Sequence, residues 1–288
     1  MRIGVLYICT GNYNGFWEDF YKSAERYFLP EEEKYYFVFT DAERIYAEES
    51  PRVTRISEYI KGWPDGTMFR FRIFKHYLHL YKECDYLYFF NANALFLQKV
   101  GMEAAPQDSL IVYQHFGFYD HTEWALPYER NPRSQAGIPW GSGKHYVMGC
   151  FNGGPIEAYT QLIKDLDKAT DIDYDNGILP YSFDESQLNR YITNHAYKML
   201  PWHYVWPKEW DLPKEQIKPH IMLRDKRSVS NAVITKAKSG LGNRIKYWRS
   251  HPDYFKAYMR HARFLSGSLY YILRRGNNLR FKIWKLIH

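Results

Sequence analysis

With 288 residues and 45% hydrophobic content, the chain has room for one large α/β domain of roughly 200–250 residues plus an extension. Its three cysteines, Cys9, Cys84 and Cys150, are far apart, odd in number and form no CxxC, which argues against a disulfide framework. The net charge of +7 belongs to the tail: Tyr254–His288 holds eight basic residues and no Asp or Glu, leaving about −1 for the rest.

No stretch approaches the length of a membrane span. A strand-like run begins at Arg2, which leaves no room for a signal peptide, and no N-x-[ST] site occurs. The expectation is a reducing, cytoplasmic setting. The 27 Tyr and 9 Trp suit stacking on sugars or bases, or build an aromatic core.

Arg2–Cys9 is read as a strand, Thr10-Gly11-Asn12 as a turn, and Phe16–Phe28 as a helix from its apolar spacing. Tyr35–Thr40 is a second strand. This β-turn-α-β start predicts a parallel, Rossmann-like sheet without a G-x-G-x-x-G fingerprint. Trp63-Pro64-Asp65 is a turn. Thr67–Cys84 is read as a helix bearing Arg70, Arg72, Lys75 and His76, either a solvated basic face or a source of one Arg for a diphosphate.

Asp85–Phe96, DYLYFFNANALF, is the organising stretch. Its aromatic run reads as a buried strand that stops at Asn91-Ala92-Asn93. In open α/β sheets ligands bind outside the carboxyl ends of strands, so the amide pair is turn chemistry or part of a site. Amide oxygens are neutral, so they give a divalent cation no charge neutralisation. A diphosphate here would need Arg and Lys.

Ser109–Gln114 is a further strand ending at His115. Tyr119–Pro139 reads as an ordered surface loop. Lys144–Phe151 is strand-like and enters Asn152-Gly153-Gly154, where backbone can approach closely. Pro155–Lys168 is a helix. Asp171–Gly177 resembles a metal loop but fails the EF-hand pattern at Ser182, and is read as solvated. Ser182-Phe183-Asp184-Glu185 opens a helix through Asn194. Ser-x-x-Glu makes a capping box of Glu185; the other reading has Asp184 and Glu185 offering a carboxylate to a reacting sugar. Trp202–Pro207 is aromatic, and Arg224-Asp225-Lys226-Arg227 is a basic cluster. P-loop, HExxH, G-x-S-x-G and zinc patterns all fail.

In order, YICTGNY (7–13), WPDGTMFRF (63–71), DYLYFFNANALF (85–96), HFGFY (115–119), YERNPRSQAGIP (128–139), MGCFNGG (148–154), DNGILPYSFDESQLNRY (175–191) and LPWHYVWP (200–207) resemble the retaining family 6 glycosyltransferases. That family includes the blood-group A and B transferases and the α1,3-galactosyltransferases. The chain is most similar to its bacterial members, and the likeness runs from Tyr7 to about Arg227.

The resemblance implies a single Rossmann-like nucleotide-sugar domain of the glycosyltransferase A type, taken over residues 1–235; the basic amphipathic helical tail at 236–288 lies beyond it and is read from the residues alone. The resemblance also implies transfer of galactose or N-acetylgalactosamine from UDP to a galactose acceptor, in α1,3 linkage with retention. Animal members hold Mn²⁺ through Asp-x-Asp. Bacterial members carry Asn-x-Asn and are metal-independent, so no metal or other cofactor is expected.

By position, the resemblance has Tyr13 stack on uracil, with Ile8 and Cys9 lending backbone contacts. It has Arg70 approach sugar and diphosphate, and Asn91 and Asn93 hydrogen-bond the ribose, sugar or phosphates in place of a metal. His115 and Tyr119 face the acceptor; Met148, Gly149 and Cys150 tune the donor sugar. Glu185 is the nucleophile or the stabiliser of the cationic transition state, also near the acceptor, and Asp184 binds donor hydroxyls. Arg224, Lys226 and Arg227 close over the diphosphate.

Two departures stand out. Ser182-Phe183 replace the family's Trp-His, and Cys150 replaces a smaller residue, which disfavours an N-acetyl group. Residues 254–288 interleave basic and apolar positions, which reads either as attachment to an anionic membrane surface, here the inner face, or as a helix packed on the body or a partner-binding arm. No nucleic-acid module is visible, so nucleic acid is not an expected partner. The rival expectation is a non-catalytic carbohydrate-binding module on a degenerate transferase scaffold.

Overall fold

Strand β1 (Arg2–Ile8) is buried continuously from Ile3 to Tyr7, so it needs cover on both faces. Helix α1 (Trp17–Tyr27) covers one face: Trp17, Phe20 and Ala24 close on the strand, and Phe20 stacks on Tyr7 with ring centroids 4.3 Å apart. Strands β2 (Glu33–Thr40) and β3 (Val53–Ser57) extend the sheet in parallel. Helices α2 (Asp65–Met68) and α3 (Arg70–His76) lead to β4 (Tyr86–Phe90), which returns parallel to β1. Beyond it lie β5 (Ala94–Phe96), β6 (Leu110–Gln114), β7 (Val147–Pro155), α4 (Ile156–Asp175), α5 (Asp184–Ile192), β8 (Tyr197–Leu200), β9 (Val205–Pro207) and β10 (Ile221–Leu223).

The computed structural model describes residues 1–60, 65–210 and 217–229, except the side chains of Trp124, Arg227 and Val229. These form a seven-stranded sheet ordered β3-β2-β1-β4-β7-β6-β8 and a three-stranded sheet ordered β5-β10-β9. On one face Tyr7, Phe16, Trp17, Phe20, Phe28, Phe90 and Phe96 build an aromatic layer. On the other, Phe71, Phe74, Leu162, Ile163, Leu166 and Leu188 from α3, α4 and α5 pack on Leu6, Phe39, Leu87 and Phe89. The expected α/β architecture is present. The sheet is mixed, because β7 runs antiparallel to both β4 and β6.

That reversal positions the site. Phe90 pairs with Phe151, and the Asn91 amide donates to the Cys150 carbonyl at 3.0 Å. Met148, Gly149 and Cys150, which begin an antiparallel strand, therefore stand beside the carboxyl end of β4. Gly153 lets β7 approach: a Cβ there would lie 2.4 Å from the Tyr88 ring and 2.6 Å from the Leu87 carbonyl oxygen. The close approach foreseen at Asn152-Gly153-Gly154 is thus sheet packing, and the strand runs to Pro155 instead of ending at Phe151.

Other expectations need correction. The predicted helix over 67–84 is broken: α3 ends at Tyr77 (φ −107°, ψ 19°) and a 3-10 turn spans Leu78–Leu80. The Tyr77 hydroxyl donates to Glu58, and Tyr81 packs edge-on against Phe37, so tertiary anchors override aromatic residues of middling helix propensity. The 119–139 loop is not merely a surface loop. Leu126, Tyr128 and Ile138 pack with Tyr146 in a small core, and Glu129, Asn131 and Ser134 are buried. Trp63 and Pro64, the domain boundary at residue 235, and the tail over 236–288 lie outside the described residues.

Asp171–Gly177 is not a solvated loop either, because α4 continues through Asp175. Asp173 is 1% exposed and accepts from Ser134 Oγ (2.7 Å), the Gln135 amide (2.7 Å) and Gln187 Nε2 (2.9 Å). Burial pushes the Asp173 carboxyl above its ordinary range. Its stabilising contribution is therefore full below the unfolded value of about 4 and is lost as pH rises through the folded value. The Ser134 hydroxyl and the Gln187 amide can each reverse their role toward an amide at position 173. Asp173→Asn should then keep or raise the Tm at pH 8 relative to the parent, with less difference at pH 5. A melting series showing a loss of several degrees at pH 8 would contradict this.

Among the described residues, no helix is long and apolar enough to cross a membrane.

Candidate active site

The carboxyl ends of β1 and β4, the start of β7 and the first turns of α3 and α5 meet at one place. Arg70, the first residue of α3, is 5% exposed. Its Nη1 donates to the Gly149 carbonyl at 2.8 Å, and its Nη2 lies 3.2 Å from Asp184 Oδ2. The guanidinium sits 4.2 Å from the centre of the Phe89 ring. Its Nε is buried without a hydrogen-bond partner among the described residues.

Asp184 is 3% exposed. Burial is the main cause that pushes its carboxyl up to about 7; Arg70 pulls it down and the neighbouring Glu185 pushes it up. The 3.2 Å approach of Arg70 and this upward shift pull in opposite directions. The geometry is that of an ion pair, and burial makes it one that is half-formed near neutrality.

Glu185 is not the cap that Ser-x-x-Glu predicts. Helix α5 begins at Asp184, and Glu185 Oε2 accepts from the Gly149 amide at 2.8 Å while Oε1 accepts from the Tyr146 hydroxyl at 2.8 Å. The Ser182 amide goes instead to Ser186 Oγ at 3.0 Å. The carboxylate therefore faces the β7 backbone. Gly149 permits this contact: a Cβ there would stand 2.9 Å from both Asp184 Oδ2 and Glu185 Cβ. Asn189, one turn on from Glu185, fastens α5 to β7 by accepting from the Val147 amide (3.0 Å) and donating to its carbonyl (2.8 Å).

The residue before this pair is strained. Phe183 has φ 50° and ψ −120°, and the Glu185 amide closes onto the Ser182 carbonyl at 3.1 Å. That is a II′-type turn with phenylalanine where glycine is favoured, at a cost of about 1–3 kcal/mol.

Several predicted residues converge on this centre. His115 is half-buried, and its Nδ1 accepts from the Gly117 amide at 3.0 Å. Burial lowers its imidazolium, and Glu185 raises it. Cys150 is half-buried, and its thiol is held well above the usual range, first by burial and then by Glu185. Lys226 keeps exposed surface while its ammonium loses hydration; Cys150 raises it and Arg70 lowers it, so its charge acts on the same space. Arg70 thus brings a positive charge beside Asp184, and Lys226 adds a second that acts on Arg70 and Cys150.

Other residues stand apart. Met148 is buried in the aromatic layer. Tyr13 is half-buried in the 3-10 turn Gly11–Phe16, 6.0 Å from the Phe16 ring. Ile8 ends β1. The Cys9 amide donates to the Phe39 carbonyl, and its own carbonyl accepts from Thr40 Oγ1; burial pushes its thiol up to about 12. Tyr119 stacks on Trp202 at 4.1 Å. Asn93 clamps the later chain: its Nδ2 donates to the Arg224 carbonyl at 2.7 Å, and its own carbonyl accepts from the Arg224 amide at 2.8 Å. Its Oδ1 is buried without a partner among the described residues. The Arg224 guanidinium faces Asp19 (2.9 Å) and the Phe16 carbonyl (2.9 Å). The Arg227 side chain lies outside the described residues.

Sequence reasoning missed Tyr146 and Asn189. Asn189 follows Glu185 at i+4, a spacing that puts both on one helix face. Nothing in sequence links Tyr146 to Glu185, because the two lie far apart in the chain and meet only in the folded structure.

Comparisons with known proteins agree on one family. The model for glycosyltransferase family 6 matches residues 1–231. The O-antigen biosynthesis glycosyltransferase WbnI of Escherichia coli is 32% identical over 230 residues, 80% of this chain and 97% of that protein. The rat histo-blood group ABO system transferase 2 is 32% identical over 216 residues, 72% of this chain and 64% of its own length. The chicken globoside alpha-1,3-N-acetylgalactosaminyltransferase 1 is 28% identical over 226 residues, 75% of this chain and again 64% of its own. The chain thus spans just under two thirds of these two vertebrate relatives.

Proposed function

Because the chain belongs to glycosyltransferase family 6, we propose that it moves galactose or N-acetylgalactosamine from a UDP-sugar to a galactose-containing acceptor, in α1,3 linkage, with retention and without a divalent metal. The α/β domain is of the glycosyltransferase A type, and a family 6 glycosyltransferase takes a sugar donor and a glycan acceptor. The names of these relatives, an O-antigen glycosyltransferase and an alpha-1,3-N-acetylgalactosaminyltransferase, favour a glycan acceptor and the α1,3 linkage.

One observation carries the reading. The Glu185 carboxylate, held by the Gly149 amide and the Tyr146 hydroxyl, lies beside the buried Arg70–Asp184 pair at the end of β4. Retention needs a carboxylate near the anomeric carbon, as a nucleophile or as the partner of an oxocarbenium-like centre. Glu185 fills that role. The departing UDP gains negative charge as the glycosidic bond breaks. Arg70 and Lys226, with Arg224 and Arg227 as further candidates, stabilise it there. Asp184 takes donor hydroxyls, His115 and Tyr119 face the acceptor, and Cys150 tilts the pocket toward galactose.

Mn²⁺ does not fit this chain's donor set. Asn91 and Asn93 offer only neutral oxygens; Asn93 Nδ2 donates to the Arg224 carbonyl, and its Oδ1, without a partner among the described residues, brings no charge to a cation. The test is UDP release from UDP-galactose and UDP-N-acetylgalactosamine, with galactoside acceptors and excess EDTA. Turnover within about twofold of the chelator-free rate is expected. A strict requirement for Mn²⁺ would sink metal independence, and glycan binding without turnover of either donor would favour the carbohydrate-binding module.

A further inference from the structure

The helix that carries Asp184 and Glu185 starts from a strained turn, and something outside the turn must hold it. Two buried carboxylates do so. Glu129 is 2% exposed. Its Oε1 accepts from the Asn131 amide at 2.7 Å, and its Oε2 accepts from the Tyr181 amide at 2.9 Å, two residues before Phe183. Asp173 reaches the same helix from the other side through Gln187 Nε2, and ties it to Ser134 and Gln135 of the 128–139 loop. That loop also leads to Tyr146: Tyr128 donates to the His145 carbonyl at 2.8 Å, and its ring lies 5.5 Å from that of Tyr146. The brace thus reaches Glu185 both through the start of its helix and through its hydroxyl partner.

We propose that Glu129, seconded by Asp173 through Gln187, is a positioning residue that holds Glu185 against the Gly149 amide. The inference rests on the transferase reading above. Its chemical basis is the fixed direction of the donors. The Asn131 and Tyr181 groups that donate to Glu129 are backbone N–H groups, one on each carboxylate oxygen, and cannot turn into acceptors. An amide at position 129 would set an NH₂ against an N–H and release either Tyr181 or Asn131. With Tyr181 released, Phe183 relaxes toward negative φ, and the first turn of α5 swings away from β7. The nucleotide site at the strand ends and Lys226 stays in place, whereas Asp184, on the same first turn, moves with Glu185.

The experiment compares Glu129→Gln with the parent for UDP affinity by calorimetry and for turnover of both UDP-sugars per UDP-binding site. Turnover per site should fall at least tenfold, while UDP affinity stays within about twofold. A residue that only stabilises the fold would lower the number of UDP-binding molecules and leave turnover per site unchanged; that result overturns the proposal. If Glu129→Gln does not fold, Gln187→Leu carries the test, because it cuts the second tie alone. A severalfold fall in turnover per site supports the brace, and parental turnover overturns it. A parent that turns over neither donor overturns the transferase reading and this inference with it, whereas a parent that transfers normally beside an unimpaired variant overturns the inference alone.

Discussion

Glu185→Gln should lower sugar transfer from the UDP-donor about 10³-fold, with UDP affinity and Tm near parental values. The expected size follows from losing a negative charge aimed at a developing positive centre in a water-poor site, an effect commonly worth 10²–10³-fold or more. The fold should survive because the two partners of this carboxylate differ. The Gly149 amide can only donate, and it keeps an acceptor in the glutamine oxygen. The Tyr146 hydroxyl can rotate to accept from the new NH₂. Initial rates of UDP release, calorimetric UDP titration and a thermal melt check the three parts together. Transfer within tenfold of the parent would show that some other group supplies the charge.

Arg70→Ala should damage both stability and turnover. The guanidinium holds the Gly149 carbonyl and Asp184 at once, and both carboxylate and guanidinium are nearly inaccessible to water. Removing one partner of a buried pair costs about 3–5 kcal/mol when the other stays charged. Asp184 has an escape, since burial already pushes it up to about 7 and loss of Arg70 would raise it further. Proton uptake then limits the loss to about 3 kcal/mol, or roughly 6–12 °C in Tm for a domain of this size.

The pH dependence has a definite sign. A carboxyl whose folded value is raised contributes fully below its unfolded value and loses that contribution as pH rises through the folded one. At pH 5 Asp184 is mainly protonated with or without Arg70, so the two melts should lie closest. At pH 8 the parent keeps an ion pair and the variant must bury a charge or bind a proton, so the gap should be widest. Arg70→Lys should not restore the parent, because a single ammonium lacks the fork that spans both oxygens. Melts at pH 5, 6.5 and 8 decide this, and a gap that narrows with rising pH would contradict it.

Much of this was legible in the chain itself. The aromatic run Tyr86–Phe90 announces a buried strand, and its stop at Asn91-Ala92-Asn93 marks the end where the site forms. The helical spacing of Phe16, Phe20 and Ala24 announces the cover over β1. The neutral chemistry of two amides is a property of residue type and needs no structure. Short elements such as β3, β8 and β10 were not legible, since a few residues with little alternation become strands only by pairing with a neighbour.

The sequence by itself determined the α/β class, the strand end that carries the site, the family and the lack of a carboxylate pair for a cation. The tertiary structure alone decided what the carboxylates do. Glu185 looks like a helix cap in one dimension, and becomes a directed carboxylate because an antiparallel β7 brings the Gly149 amide and Tyr146 hydroxyl to it. Asp173 looks solvated, and is buried because three donors from two separate segments converge on it. Local pattern reports only the preferences of neighbours along the chain. The partner of a buried charge is chosen by packing across tens of residues, where leaving it unmatched would cost more than any local preference gains.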